Sequence, residues 1–369
     1  MKIDSSLRFI VFSTAMMLLV SCKNENQKEA DSEPIPSPAK DLIVKQPENI
    51  DTPKNMVWVS GVHFTQGAQA GDQLALPREK PAHPVAVDGF FIDQTEVTNA
   101  QFKTFVDATG YLTTAERPIN WEEMRKTLPA GTPKPADSIL QPGSLIFNRN
   151  VANVTDLNNY AQWWEWKIGA NWQHPQGPES DIQGKDTYPV VHVTYEDAKA
   201  YCKWANRRLP TEAEWEAAAH GKLSGGMYTW GDDDSALSDK ANTWQGTFPI
   251  DNSDEDGYAY AAPVARYSPN SLGIYDMAGN VWELTQDWFS VRYYQDIYGE
   301  EALNPQGPAE SYNPENPYQP EKVIKGGSFL CAASYCASYR ICARMGQALD
   351  SSTDHSGFRT VADVVMLQP

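Results

Sequence analysis

The sequence predicts an α+β fold with little regular secondary structure, in which loops make up much of one globular domain. The chain has 369 residues, 41% of them hydrophobic, which is enough to bury a sizeable core. It holds 24 Gly, 26 Pro and 12 Trp, a composition that favours loops and aromatic surfaces over a helical bundle. The formal net charge of −18 argues against binding nucleic acid through a general positive field.

The N-terminal segment has the layout of a secretory signal. An apolar run at residues 9–20, too short to cross a bilayer, follows the basic residues Lys2 and Arg8. The run ends in Leu-Val-Ser-Cys at residues 19–22, which resembles the lipobox of bacterial lipoproteins; an ordinary signal peptide with a chance cysteine is the alternative. The resemblance implies cleavage before Cys22, acylation of Cys22, and anchoring to a membrane of a bacterial cell envelope that the rest of the chain does not enter.

We expect three segments along the chain. Residues 1–21 form the lipoprotein signal peptide, residues 22–55 the acylated cysteine and a disordered tether, and residues 56–369 one domain. The tether is predicted because residues 23–55 carry five prolines among charged and polar residues and almost no aliphatic pattern. No composition shift and no repeat marks a further boundary beyond residue 56.

The domain begins with strand signals and one clear helix. Residues 56–59 and 85–92 are rich in β-branched and aromatic residues and lie between turns, which predicts short strands. A helix is predicted over residues 98–108, with Thr98 as its N-cap and two phenylalanines facing the core.

Two more helices are predicted at residues 194–206 and 211–220. Each begins with a threonine, Thr194 or Thr211, followed three residues later by an acid, which is the capping-box pattern. The remainder, residues 221–369, has short strands and loops divided by Gly, Pro, Asn and Asp.

The cysteines leave more than one interpretation open. Apart from Cys22, the chain has Cys202, Cys331, Cys336 and Cys342. Two disulfides are the ordinary expectation for an exported domain. The C-x4-C spacing of Cys331 and Cys336 lacks the C-x2-C spacing and the nearby histidines of a zinc site, whereas two thiolates suit Cu(I). Disulfides, a dithiolate metal or redox site, and inert thiols all remain possible from spacing alone.

The segment from Lys325 to Arg340 is the most informative motif. It follows the pattern G-G-S-aromatic-x-C-x-x-S-Y-C-x-x-Y-R at every fixed position. Further strings follow the same order through the domain: G-A-N-W at 169–172, R-L-P-T-E-A-E-W-E at 208–216, G-N-V-W-E at 279–283 and G-F-R at 357–359. Together they make the chain resemble the formylglycine-generating enzymes, with the C-type-lectin-like fold of that family. The paired cysteines distinguish these enzymes from other members of the wider superfamily.

The resemblance implies a copper-dependent oxidase. Cys331 and Cys336 would bind Cu(I), and O2 would be used to convert a cysteine in a C-x-P-x-R motif of a sulfatase to Cα-formylglycine. The substrate would be an extended or unfolded sulfatase chain, and the enzyme a monomer. Ser328 and Trp282 match residues beside the copper site, although a strand hydroxyl and a core indole are the simpler interpretations of them.

The resemblance also implies two structural calcium sites. The first would use the side chains of Asn242 and Asp256 with the carbonyls of Thr243 and Tyr258. The second would use the side chains of Asp276 and Glu283 with the carbonyls of Gly279 and Val281. Such mixed oxygen ligands are those that Ca2+ prefers. Read alone, the acidic stretch at 251–257 is equally well a solvated turn.

The chain departs from the family pattern at a few positions. His355 stands where some members carry Asn close to the cleft, so peptide contacts there are expected to differ. Thr360 replaces a cysteine that pairs with the counterpart of Cys202 in some members, and Cys342 lies one position beyond another disulfide cysteine. Neither change affects the Cys331 and Cys336 pair.

Two other functions share this fold. A sulfoxide synthase needs iron on three histidines, and the six histidines here contain no H-x3-H pair. A non-enzymatic surface lipoprotein, using the fold as a scaffold or binding module, fits the anchor and tether equally well. The intact cysteine pair favours the oxidase, because a scaffold needs no Cu(I) ligands.

Overall fold

Short strands, joined by long loops, frame the domain. In the computed structural model, which describes residues 41–368, the strands are β1 Met56–Val59, β2 Val62–Gln66, β3 His83–Val87, β4 Phe90–Asp93, β5 Gly143–Phe147, β6 Trp164–Ile168, β7 Gly246–Thr247, β8 Asp251–Asn252, β9 Trp282–Trp288, β10 Ala302–Leu303, β11 Glu321–Lys325, β12 Met345–Ala348, β13 Ser356–Gly357 and β14 Val361–Ala362. They pair into sheets of two to four strands, with the orders β1-β4-β14, β10-β3-β2, β12-β11-β9-β13, β5-β6 and β7-β8. This is the loop-rich α+β fold that the composition predicts.

The helices are short as well. They are α1 Asn99–Thr109, α2 Trp121–Met124, α3 Tyr195–Trp204, α4 Glu212–His220, α5 Leu237–Lys240 and α6 Tyr293–Asp296. The three predicted helices, now α1, α3 and α4, are confirmed. Thr98, Thr194 and Thr211 each cap their helix and accept a hydrogen bond from the backbone amide three residues on. Phe102 and Phe105 are buried, as predicted. No helix within residues 41–368 is long and apolar enough to cross a membrane.

The single strand predicted over residues 85–92 is wrong, because the chain turns between β3 and β4. The turn is at Asp88 and Gly89, where the Gly89 amide donates to the carbonyl of Ile43 at 2.7 Å and the Asp88 carboxylate accepts from the Ile43 amide at 2.8 Å. The two halves therefore belong to different sheets.

The predicted boundary at residue 56 is also wrong, because the chain packs against the domain from Leu42 onward. The carbonyl of Ile43 accepts hydrogen bonds from Gly61 and Gly89, and Ile50 is buried against Met56 and Phe91. The burial of Ile50 and the hydrogen bonds of Ile43 thus hold this polar, proline-containing segment against the domain. The predicted signal peptide, Cys22 and the tether up to residue 40 lie outside the described residues.

The four-stranded sheet brings the predicted site residues to one edge. Strand β9 runs antiparallel to β11, with Glu283 opposite Lys325, and parallel to β13, with Trp282 opposite Ser356. The cysteine-containing loop leaves β11 directly after Lys325, so it begins beside Trp282. His355 precedes β13, and its carbonyl accepts the backbone amide of Trp282 at 2.8 Å.

Helix α4 is buried along nearly its whole length and holds both ends of that loop. Glu216 accepts a hydrogen bond from Lys325 at 3.0 Å, where the loop begins. Glu212 makes a two-pronged ion pair with Arg344, where the loop ends, with its shortest contact at 2.7 Å. These side chains are almost completely buried. The loop is therefore closed at its base by hydrogen-bonded ion pairs.

Candidate active site

The cysteine loop folds back on itself at Gly327. This glycine has φ of +72°, and a Cβ at its position would lie only 2.9 Å from the backbone of Ser338 and Tyr339. Only glycine permits this approach without strain. The contact brings the segment after Cys336 against the start of the loop that carries Cys331.

Cys331 and Cys336 are free thiols that line the same cavity. Cys331 is buried, and its sulfur accepts the backbone amide of Ser328 at 3.4 Å. Burial raises the pKa of the Cys331 thiol. The interaction with the Cys331 thiol lowers the pKa of Cys336. The pair thus places two thiols on one cavity wall, with one of them biased towards the thiolate.

The four residues matched to the catalytic centre line one cavity of about 930 Å³. Cys331, Cys336, Ser328 and Trp282 all contribute to its wall. The hydroxyl of Ser328 also accepts the backbone amide of Leu330 at 3.2 Å, so this side chain helps to shape the loop.

Aromatic side chains form another part of the wall. Tyr335, directly before Cys336, stacks on Phe248 with ring centroids 4.6 Å apart, and Trp163 meets both rings edge-on. Offset and edge-to-face pairs of this kind hold their rings in fixed positions. The cavity therefore has a rigid apolar side next to the cysteines.

His355 lines the same cavity as an uncharged group. Its ring packs edge-on against Trp164 at 4.9 Å. Burial lowers the pKa of His355 to about 3. Its Nδ1 is buried without a hydrogen-bond partner among the described residues. His355, one of the positions at which the sequence departs from the family pattern, thus faces the cavity that a peptide substrate would enter.

The two arginines that follow the cysteines are structural. Arg340 is completely buried and binds Asp72 at 2.6 Å and Glu79 at 2.8 Å, while Arg344 binds Glu212. All of their strong contacts are to carboxylates and carbonyls of the fold. They fasten the loop to the domain.

The residues expected at the first calcium site come together in space. The Asp256 carboxylate accepts the amides of Thr243 at 2.8 Å and Tyr258 at 2.9 Å. The side-chain amide nitrogen of Asn242 donates to the carbonyl of Tyr260, which leaves its oxygen buried without a partner among the described residues. An unpartnered amide oxygen beside a carboxylate fits an oxygen-coordinated cation.

The second set lies next to the first. Gly279 packs so closely on the backbone of Asn242 that any Cβ there would collide with the Asn242 carbonyl. Asp276 accepts the amide of Ala265 at 2.6 Å. Glu283, however, already uses both carboxylate oxygens to bind Arg359, at 2.6 Å each. The side chain of Glu283 is therefore the weakest part of the expected ligand set.

Glu96 is a residue that sequence reasoning missed. It is completely buried, accepts the side-chain amide of Asn280 at 2.8 Å, and keeps one carboxylate oxygen unpartnered among the described residues. Burial, with the nearby charge of Asp276, raises the pKa of Glu96 well above its usual range, and burial raises the pKa of Asp276 to about 6. Glu96, Asp276 and Glu283 share one guanidinium, that of Arg359. The excess negative charge fits a bound cation.

The fold and the site together define a domain of the sulfatase-modifying class. The chain matches the sulfatase-modifying factor enzyme 1-like domain over residues 39–364, and it belongs to this family. It is 43% identical to a formylglycine-generating enzyme of Mycobacterium tuberculosis, over 80% of this chain and 94% of that protein. It is 40% identical to the formylglycine-generating enzyme of Bos taurus, over 84% of this chain and 75% of that protein.

Two other comparisons bear on fold and activity. The chain is 35% identical to a mouse protein named inactive C-alpha-formylglycine-generating enzyme 2, over 82% of this chain and 84% of that protein. Among solved structures, PvdO from Pseudomonas aeruginosa matches with a TM-score of 0.58 and 21% identity, over 87% of this chain and all of that one. This last likeness shows the fold alone.

Proposed function

We propose that the protein converts the cysteine of a C-x-P-x-R motif in sulfatases to Cα-formylglycine, with Cu(I) as cofactor and O2 as oxidant. The observation that carries the proposal is the pair of free thiols of Cys331 and Cys336 on the wall of one large cavity. Relatives at 40–43% identity that are named formylglycine-generating enzymes support the same conclusion.

Cys331 and Cys336 would hold the copper, since soft thiolates select Cu(I) and two of them suffice for it. When bound, the metal supplies the one-electron chemistry through which O2 reacts, which side chains alone lack. The protein keeps the two sulfurs in place through the Ser328 amide and the turn at Gly327. The burial of Cys331 keeps water from that side of the pair.

The remaining cavity residues position the peptide. Trp282 and the stacked Tyr335 and Phe248 present flat apolar surfaces against which an extended chain packs. Ser328 contributes a hydroxyl at the cavity wall. This hydroxyl would lie near the sulfur of the substrate cysteine when the substrate is bound beside Cys331 and Cys336. Because such a cleft accepts only an extended segment, the substrate is a sulfatase chain that has not yet folded.

We further propose that calcium occupies both sets of oxygen ligands and stabilises the loops beneath the site. Asn242 and Asp256 support the first ion; Asp276, together with Glu96, supports the second. The buried and unpartnered oxygens of Asn242 and Glu96 are the grounds for this assignment.

For location, we propose that acylated Cys22 anchors the protein to a membrane of the cell envelope, where exported sulfatases arrive unfolded. The lipobox-like sequence at residues 19–22 supports this proposal.

The experiment is mass spectrometry of a C-x-P-x-R peptide after incubation with copper-loaded protein in air. The expected product is a peptide in which the CH2–SH group of the cysteine has become CHO and the sulfur has left as sulfide. It should form only with copper, O2 and an added thiol reductant, which supplies the two further electrons that reduce O2 to water. The matched control is the same peptide with Ser in place of Cys. An unmodified peptide would favour the scaffold alternative, for which the inactive mouse relative is a precedent within the family.

A further inference from the structure

The charge of the cavity is opposite to that of the protein. The chain has 48 acidic residues against 30 Lys and Arg. Yet none of the described residues that line the cavity is acidic, and Arg78 is the one among them that carries a charge, since His355 is neutral. An acidic protein whose described cavity lining has no acidic residue is suited to distinguish its ligands by their charge.

Arg340 and Arg344 are held in ion pairs within the fold, whereas Arg78 is not in an ion pair with any described residue. Its Nε donates to the carbonyl of Arg344 at 2.8 Å, which fixes the side chain at the cavity wall. Within residues 41–368, no carboxylate lies within 4.0 Å of its guanidinium nitrogens, whereas Arg340, Arg344 and Arg359 each bind one. Burial is the main reason that the pKa of Arg78 is lowered, and it outweighs the opposite effect of the charges of Glu79 and Glu315.

A half-buried guanidinium with unused donors gains most from a carboxylate. Ionised partners make hydrogen bonds about twice as strong as neutral ones, and apolar surroundings reduce the screening of their attraction. Leu74, Leu76 and Met345, which line the same cavity as Arg78, are apolar. A cationic side chain at the same place would be repelled by Arg78, and no acidic residue among the described cavity lining would offset the repulsion.

We propose that Arg78 is a specificity-determining residue that binds an acidic side chain of the sulfatase segment near the modified cysteine. The proposal rests on the proposed function. It also implies that the arginine of the C-x-P-x-R motif lies outside the cavity. That arginine is four residues from the cysteine, or roughly 13 Å along an extended chain, which is far enough to reach beyond the wall.

The test measures binding and charge preference together. A labelled peptide with Ser in place of the reactive Cys is varied to Glu, Gln or Lys at each position outside the motif, and its affinity is measured by fluorescence anisotropy. At one position we expect Glu to bind roughly three- to tenfold more tightly than Gln, and Lys more weakly. Arg78→Gln should abolish this preference, and Arg78→Glu should reverse it.

The matched control is Arg292→Glu, which makes the same change of charge at an exposed arginine that stacks on Tyr312 and does not line the cavity. It should keep the wild-type preference. Thermal unfolding of each variant establishes that it is folded, and Arg78→Gln retains a donor for the Arg344 carbonyl.

The same charge preference in wild type, Arg78→Gln and Arg78→Glu would overturn the proposal. So would the lack of any preference in the wild type. If wild-type protein still modifies the parent cysteine peptide in such a case, only the role of Arg78 fails. If it modifies no C-x-P-x-R peptide, the proposed function itself fails.

Discussion

The backbone carbonyl of Asn280 accepts the amide hydrogen of Phe329 at 2.9 Å. Asn280 stands in the loop of the expected calcium ligands, and Phe329 is two residues before Cys331. The side chain of Asn280 also bridges the two ligand sets, because it accepts from Asn242 and donates to Glu96. Asn280 therefore links both sets of expected calcium ligands directly to the cysteine loop.

Loss of either cysteine of the pair should abolish both Cu(I) binding and peptide oxidation. Two-coordinate ligation does not survive the loss of one sulfur, so Cys331→Ser and Cys336→Ser should each be inactive while their melting temperatures change little. Copper binding is measured by competition with a chromophoric Cu(I) chelator, and activity by mass spectrometry. Full activity in either variant would be incompatible with copper held by this pair.

The two remaining thiols should be dispensable. Cys202 and Cys342 are free and buried, and burial raises the pKa of both well above the ordinary value for a thiol. Cys202→Ser and Cys342→Ser should keep activity and cost about 1 kcal/mol of stability or less, as small changes of shape do. Chemical denaturation and peptide mapping test this. A Cys202–Cys342 disulfide in the purified protein would count against it.

The sequence predicts those features of the fold and the site that depend on residues close together in the chain. Thr98, Thr194 and Thr211 act on amides three residues away, so their caps can be recognised in the chain. The cysteines lie five residues apart in one segment. Which oxidation and ligand state they adopt is not encoded in their spacing.

Other parts depend on contacts between distant segments. Glu96 meets Asn280 across 184 residues, and Arg78 meets Arg344 across 266, so no spacing rule identifies either. The same is true of residues 42–55. Their polar composition predicts a tether, whereas the hydrogen bonds of Ile43 and the burial of Ile50 hold them against the domain.

The lipid anchor should matter in the cell and not in the test tube. Cys22→Ala should release the protein from the membrane fraction and lower the formylglycine content of an exported sulfatase. The protein lacking residues 1–40 should oxidise peptides as fast as the anchored form, because the cavity is built from residues from Leu74 onward. Fractionation and mass spectrometry of the sulfatase test both statements. Full modification of a sulfatase retained in the cytoplasm would exclude this protein as the enzyme responsible.

Removal of calcium should lower the melting temperature, and removal of its ligands should make that temperature independent of calcium. A cation that binds only the native state adds about 2.7 kcal/mol when its concentration is 100 times its dissociation constant. Asp256→Ala and Glu96→Gln should therefore melt several degrees lower than wild type and respond less to chelator. The control is Glu122→Gln, at an exposed position of α2. If chelator leaves the wild-type melting curve unchanged, neither proposed calcium ion is bound.

The stabilisation by calcium should also grow as the pH rises from about 4 to above 6. Burial raises the pKa of Asp276 to about 6 from an ordinary value of 3.8. Without a cation, the native state therefore holds a proton that the unfolded chain has lost between these two values. Its stability falls as the pH rises through this window, by roughly 3 kcal/mol in full.

A bound calcium ion reverses this loss, because it requires the ionised carboxylate and compensates its charge. The rise in melting temperature on adding calcium to depleted protein should be small at pH 4.5 and large at pH 7. Asp276→Asn should flatten this dependence. Asp354→Asn should leave it intact, since the pKa of Asp354 is also raised to about 6 by burial and its carboxylate binds Phe147 and Gln176 away from the ligand sets. A calcium effect of equal size at both pH values would show that Asp276 is not a ligand.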